Sequence, residues 1–198
     1  LIVVMESRAE LDLPQDLIHP CLNTLVIMLP YTPLHYLLFD DELELLVMTS
    51  ANISDEPLIY ENETAQKKLA GIADYFLLHN RDIFNPCDDS VMRVTALNTP
   101  QLFRRARGYV PLGIRIPSSS SPVLAVGGEM KNTFCITRQG EAYLSQHWGD
   151  LNHYLNFRNF QDGIERFKNM LAVEPQVIAH DLHPNYQTTC WAREQEHM

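Results

Sequence analysis

Ile116-Pro117-Ser118-Ser119-Ser120-Ser121-Pro122-Val123-Leu124-Ala125-Val126-Gly127-Gly128 is the stretch on which the reading of this chain turns. Its first seven residues form a Ser/Pro run that buries nothing and resists regular structure, as a linker does. Its last six switch to an apolar strand pattern that ends on two glycines. The chain is therefore expected to divide into residues 1–115, a linker at 116–122, and 123–198. Strand and helix patterns alternate on both sides, so the fold class is α/β.

Upstream, Leu1 to Met5, Thr24 to Met28, Leu43 to Thr49, Asp74 to Leu78, Val91 to Thr95 and Gln101 to Arg105 read as strands. Thr32-Pro33 opens a short helix through Leu38, with Thr32 as N-cap and proline in the first turn. Asn62 to Leu69 reads as a helix closed by Gly71. Downstream, Val123 to Val126 is a strand, and Thr133 to Thr137 pairs with Ala142 to Ser145 around Gln139-Gly140. Phe157, Phe160, Ile164, Phe167 and Leu171 recur at helical spacing, so 156–171 is an amphipathic helix whose aromatic stripe is core. Val177 to His180 is a further strand, and a last helix starts near Tyr186.

Composition narrows the function classes. Apolar residues make up 45% of the 198, enough for a packed core. The net charge of −10 argues against a general nucleic-acid or anionic-membrane binder, so any anion site must be a local basic cluster. No apolar run reaches the roughly 18 residues of a membrane helix. Cys21, Cys87, Cys135 and Cys190 stand far apart and form no CxxC pair, which suits a reducing cytosol and gives no zinc knuckle. The chain opens on Leu1, which reads as an internal piece of a longer protein.

Four places can carry chemistry. Thr49-Ser50-Ala51-Asn52 follows a strand, where small hydroxyl and amide groups can bind phosphate or carboxylate oxygens; the alternative is a capped turn. Arg104, Arg105 and Arg107 form the densest basic cluster, and guanidinium forks suit phosphate; an edge strand that blocks aggregation is the alternative. Asp88-Asp89-Ser90 can hold the magnesium that accompanies a nucleotide, or can simply be a turn. Gly127-Gly128, with Lys131, Asn132 and Thr133, can bring backbone N–H groups to a second phosphate; a plain hairpin competes. His147 is a possible substrate contact or a satisfied structural histidine. His180-Asp181-Leu182-His183-Pro184 reads as a hydrogen-bonded turn, because Pro184 opposes the helix that a metal pair would need.

Taken in order, these blocks resemble the HypF-type carbamoyltransferases. Leu29-Pro30-Tyr31-Thr32-Pro33-Leu34-His35 and Leu46-Val47-Met48-Thr49-Ser50-Ala51-Asn52-Ile53-Ser54 are similar to two of that family's segments. Arg104-Arg105-Ala106-Arg107-Gly108-Tyr109-Val110-Pro111 resembles its RRxRGYxP block, and Lys131-Asn132-Thr133 and Leu144-Ser145-Gln146-His147 follow. The resemblance implies the end of a YrdC-like domain joined to the start of an actin/sugar-kinase-like domain. It implies ATP with Mg²⁺, carbamoyl phosphate as substrate, carbamoyl adenylate as intermediate, and a HypE-like acceptor protein with a C-terminal cysteine. Ser50 and Asn52 would supply an SxN element; Asp89, Ser90 and the arginines would line the same nucleotide pocket. The zinc-finger and HxxxH metal regions of the family are expected only outside this chain. Asn85-Pro86-Cys87 departs from the pattern, since relatives often carry arginine at position 86. Competing expectations are an RNA-binding YrdC-like module and a carbamoyltransferase acting on a small molecule. A cytoplasmic location follows from the same resemblance.

Overall fold

Ile2, Val3 and Val4 are β-branched, and that stiffness suits a pleated strand. In a computed structural model that describes residues 1–8, 13–54, 56–117 and 121–195, they form β1 (Ile2–Glu6). β1 pairs antiparallel with β2 (Thr24–Ile27), Val3 opposite Ile27, and parallel with β3 (Val91–Val94), Ile2 opposite Val91. β3 turns through Asn98 (φ 56°) into antiparallel β4 (Pro100–Arg104). Pro100 opens that edge strand, where its missing N–H costs no ladder bond. The order is β2-β1-β3-β4. Two single-turn helices accompany this sheet, α1 (Gln15–Ile18) and α2 (Pro33–Tyr36). Thr32 caps α2 as expected, its Oγ1 accepting from His35 N at 3.2 Å.

Two expected strands do not form. Residues 43–49 and 74–78 carry no ladder pairing, and Val47 and Tyr75 stand 78% and 93% exposed. Apolar content makes a segment fit for a sheet, but a strand also needs a neighbour offering free N–H and C=O groups. The first sheet takes its four strands from elsewhere. Between these segments lies α3 (Asn62–Lys68). It closes at Leu69, whose N–H donates to Ala65 O, without a left-handed Gly71.

The second sheet has the order β5-β8-β7-β6-β9, from β5 (Ile114–Arg115), β6 (Val123–Ala125), β7 (Cys135–Arg138), β8 (Glu141–Leu144) and β9 (Val177–Ala179). Gln139 (φ 50°) and Gly140 (φ 81°) make the left-handed two-residue turn of the β7–β8 hairpin. β6 and β9 are parallel, so the chain must cross over, and α4 (Tyr154–Leu171) lies in that connection. The stripe of α4 is buried as its spacing predicts: Phe160, Ile164, Phe167 and Leu171. Phe134 on the sheet side meets Phe167 edge-on at 5.1 Å and stacks on Trp148 at 6.0 Å. Gly163 makes room for that indole, since a Cβ there would sit 2.2 Å from Trp148 Cζ2. α5 (Gln187–Gln195) ends the described chain and adds Ala192 to the same core.

Contacts divide the chain into two units: Leu1–Ser50 with Asp89–Arg104, and Ala51–Asp88 with Arg105–Met198. The expected linker at 116–122 includes residues 118–120, which lie outside the described residues.

Candidate functional site

In the first unit the antiparallel register sets Arg104, the last residue of β4, opposite Val91. Val91 directly follows Asp89-Ser90, so Arg104 and this polar pair lie at the same end of the β3–β4 pair. Ser90 is fully buried, and its carbonyl accepts from Ile2 N at 2.7 Å. Thr49 and Ser50 are exposed at the end of the unpaired segment.

The remaining candidates belong to the second unit. Asn52 is half-buried, and its Nδ2 donates to Ile53 O at 3.0 Å and Glu56 O at 3.1 Å, which fixes the turn it sits in. Arg105 and Arg107 lie past the end of β4, one residue earlier than the strand pattern indicated. Sheet alternation therefore does not decide where they point. Arg105 Nη2 donates to Leu112 O at 2.7 Å, and burial beside Cys135 lowers the affinity of its guanidinium for its proton. Burial in turn pushes the Cys135 thiol up, so it is a poor thiolate. Arg107 Nη2 donates to Cys87 O at 2.9 Å, and its backbone N–H to Asp88 O at 3.1 Å. Asp88 Oδ2 also lies 3.5 Å from His147 Nδ1.

The loop after β6 is built on its backbone. Gly127 has φ +69°, and a Cβ there would lie 2.3 Å from Thr133 O, so only glycine fits. Gly128 is next to it, and Lys131 is exposed at φ 50°. Asn132 is buried; its Nδ2 donates to Val126 O at 2.9 Å and Gly128 O at 2.6 Å, closing the loop on itself. Thr133 is half-buried behind it. Glu129, not singled out by the sequence, is buried and accepts from Gln187 N at 2.7 Å, so it caps α5. His180 Nδ1 contacts Asp181 O at 2.6 Å, while His183 stacks on Tyr186 with ring centres 4.3 Å apart. Among the described residues no group of three or more His, Cys, Asp or Glu is placed to hold a metal ion, and no helix is long and apolar enough to cross a membrane.

Gln146 stands in the Leu144-Ser145-Gln146-His147 block, yet the sequence does not single it out as a site residue. It is only 4% exposed and reaches residues 85 and 86, some sixty positions away, a contact that no local spacing announces.

A mixed α/β chain with two sheets and a glycine-built loop after β6 belongs to a broad class of α/β folds that host many functions. Comparison narrows it. The Sua5/YciO/YrdC model, described as telomere recombination, matches residues 1–106, and the HypF Kae1-like domain model matches 118–198. Carbamoyltransferase HypF2 of Cupriavidus necator is 43% identical across 98% of this chain, which covers 26% of that protein. The crystal structure of T. kodakarensis HypF superposes with a TM-score of 0.91 at 39% identity, covering 99% of this chain and 26% of that one. Full-length HypF in its phosphate- and nucleotide-bound form gives a TM-score of 0.87 at 44% identity, over 97% of this chain and 30% of that one. The chain belongs to the HypF family, with a YrdC-like part followed by a kinase-like part. It spans about a quarter of the length of the curated relatives it matches.

Proposed function

We propose that this chain serves ATP-dependent carbamoyl transfer in nickel–iron hydrogenase maturation. Water hydrolyses carbamoyl phosphate to carbamate and inorganic phosphate. A carbamate oxygen then attacks the α-phosphorus of ATP, pyrophosphate leaves, and carbamoyl adenylate forms. The carbamoyl group passes to the C-terminal cysteine sulfur of a HypE-like acceptor with loss of AMP, on the way to the cyanide ligand. The observation that carries this reading is the succession of a YrdC-type and a HypF Kae1-like segment in one chain, each matched in relatives named carbamoyltransferase HypF. A relative crystallised with phosphate and nucleotide supports the ATP step.

In this reading residues 1–115 activate and 123–198 transfer. Magnesium enters with the nucleotide as substrate, and the place of action is the cytoplasm. Arg104 offsets phosphate charge beside Asp89 and Ser90, with Thr49, Ser50 and Asn52 on the small acid. Arg105 and Arg107, candidates for the same charge, hold the carbonyls of Leu112 and Cys87 in the second unit. The loop of Gly127, Gly128, Lys131, Asn132 and Thr133 offers N–H groups to a second phosphate, and His147 borders the substrate. Positioning and charge carry phosphoryl-centre displacement, so loss of one cation should cost rate heavily. Arg104→Ala is expected to lower kcat/KM in ATP–pyrophosphate exchange at least tenfold. Exchange at the wild-type level would remove the β3–β4 end from the nucleotide site.

A further inference from the structure

Residues 84–88 run as a strap without helix or strand, yet each is held by the second unit. The Phe84 ring lies under the Arg166 guanidinium, 5.7 Å from its centre. Asn85 Oδ1 accepts from Arg166 Nη1 at 3.3 Å, and Asn85 Nδ2 donates to Gln146 Oε1 at 3.2 Å. Gln146 Nε2 donates to Pro86 O at 2.6 Å. Arg107 takes the carbonyls of Cys87 and Asp88, and His147 faces the Asp88 carboxylate.

The centre of this arrangement is Gln146. One primary amide both accepts from and donates to the strap, which a carboxylate of the same reach cannot do. The amide is buried, so breaking either bond leaves a polar group away from water. Its partner at position 86 is a backbone carbonyl, so the contact survives the departure from arginine there. The strap leads without a break into Asp89-Ser90, the polar pair that ends beside Arg104.

We infer that Gln146 is a positioning residue for the nucleotide reaction: by clamping Asn85 and Pro86 it sets where Asp88, a candidate holder of the magnesium that accompanies the nucleotide, stands within the second unit. This rests on the function proposed above. It means that a single side chain tunes nucleotide affinity without touching substrate itself.

Two variants test it on the full chain. Asn85→Ala cuts the clamp from the exposed strap side, where folding is not at stake, and Gln146→Ala cuts it from the buried side. Without nucleotide, amide hydrogen exchange at residues 84–90 should quicken about tenfold in both. In ATP–pyrophosphate exchange both should raise KM for ATP at least fivefold while kcat stays within twofold, and Gln146→Glu, which lacks the donor to Pro86 O, should not rescue. Unchanged protection of the strap in both variants would overturn the clamp. A loosened strap with unchanged KM would overturn the positioning role. A wild-type chain with no exchange activity would sink the proposed function, and the role of Gln146 in it, while hydrogen exchange still decides whether the clamp exists.

Discussion

The two sheets use similar strands and hold them by different means. In the second unit an eighteen-residue helix lies against the sheet, and Phe134, Ile136, Phe160, Ile164 and Trp148 pack into one core. In the first unit the only buried residues among those described are His19, Ser90 and Met92, while Val26 on β2 stays 64% exposed. Its helices α1 and α2 have four residues each, too short to cover a sheet. Ladder hydrogen bonds give the first unit its register, and side-chain burial gives the second its stability. The lesson is that strand pattern fixes pairing, but a covering layer decides how much apolar area leaves water.

The contrast breaks most readily at the core. Phe160→Ala should destabilise the second unit by about 3–5 kcal/mol, the usual cost of a large cavity. Val26→Ser, on the uncovered sheet, should cost less than about 0.5 kcal/mol. Denaturant unfolding followed by tryptophan fluorescence reads the first effect directly, because Trp148 and Trp191 both lie in the second unit. Equal effects would mean that the second core is not what holds it. A smaller effect is expected of Gly163→Ala, which pushes a methyl into the Trp148 ring and should cost about 1–3 kcal/mol with a shifted emission maximum. Smallest is the end of α4. Lys168 Nζ lies 2.8 Å from Glu174 and 3.1 Å from Glu165, and the Glu174 bond, then Glu165, hold its ammonium above the usual lysine range. A raised pKa contributes stability below the unfolded value and loses it as pH climbs through the folded one. Both carboxylates are largely exposed, so Lys168→Met should cost only about 0.2–1 kcal/mol at pH 7. The difference from wild type should shrink above about pH 10.4. A gap that persists there would assign the effect to packing of the lysine stem.

Much of this was legible in the chain itself. The stripe from Phe160 to Leu171 and the Gln139-Gly140 turn are local signals, and local signals suffice for a helix and a hairpin. Thr32 likewise announced its helix. The segments 43–49 and 74–78 misled for a physical reason: an apolar run states what burial it would accept, not which neighbour supplies the hydrogen bonds. The arginine block was found by composition, but its geometry depended on β4 stopping at Arg104. Gln146 stands within a motif block, but its contacts were invisible because its partners come from a distant segment, and a contact of that kind has no period.

The units interleave along the chain: the first is made of two pieces separated by residues 51–88, and the second takes those residues together with 105–198. During synthesis, then, β1 leaves the ribosome long before β3, its parallel partner, exists. At roughly 5–20 residues per second that interval is on the order of ten seconds. For that time β1 has only the β2 hairpin as a partner, and residues 51–88 likewise emerge before Gln146 and Arg166, which hold the strap. The order of translation thus leaves both halves open together and closes them late, a window in which chaperones rather than native contacts guard the exposed strands.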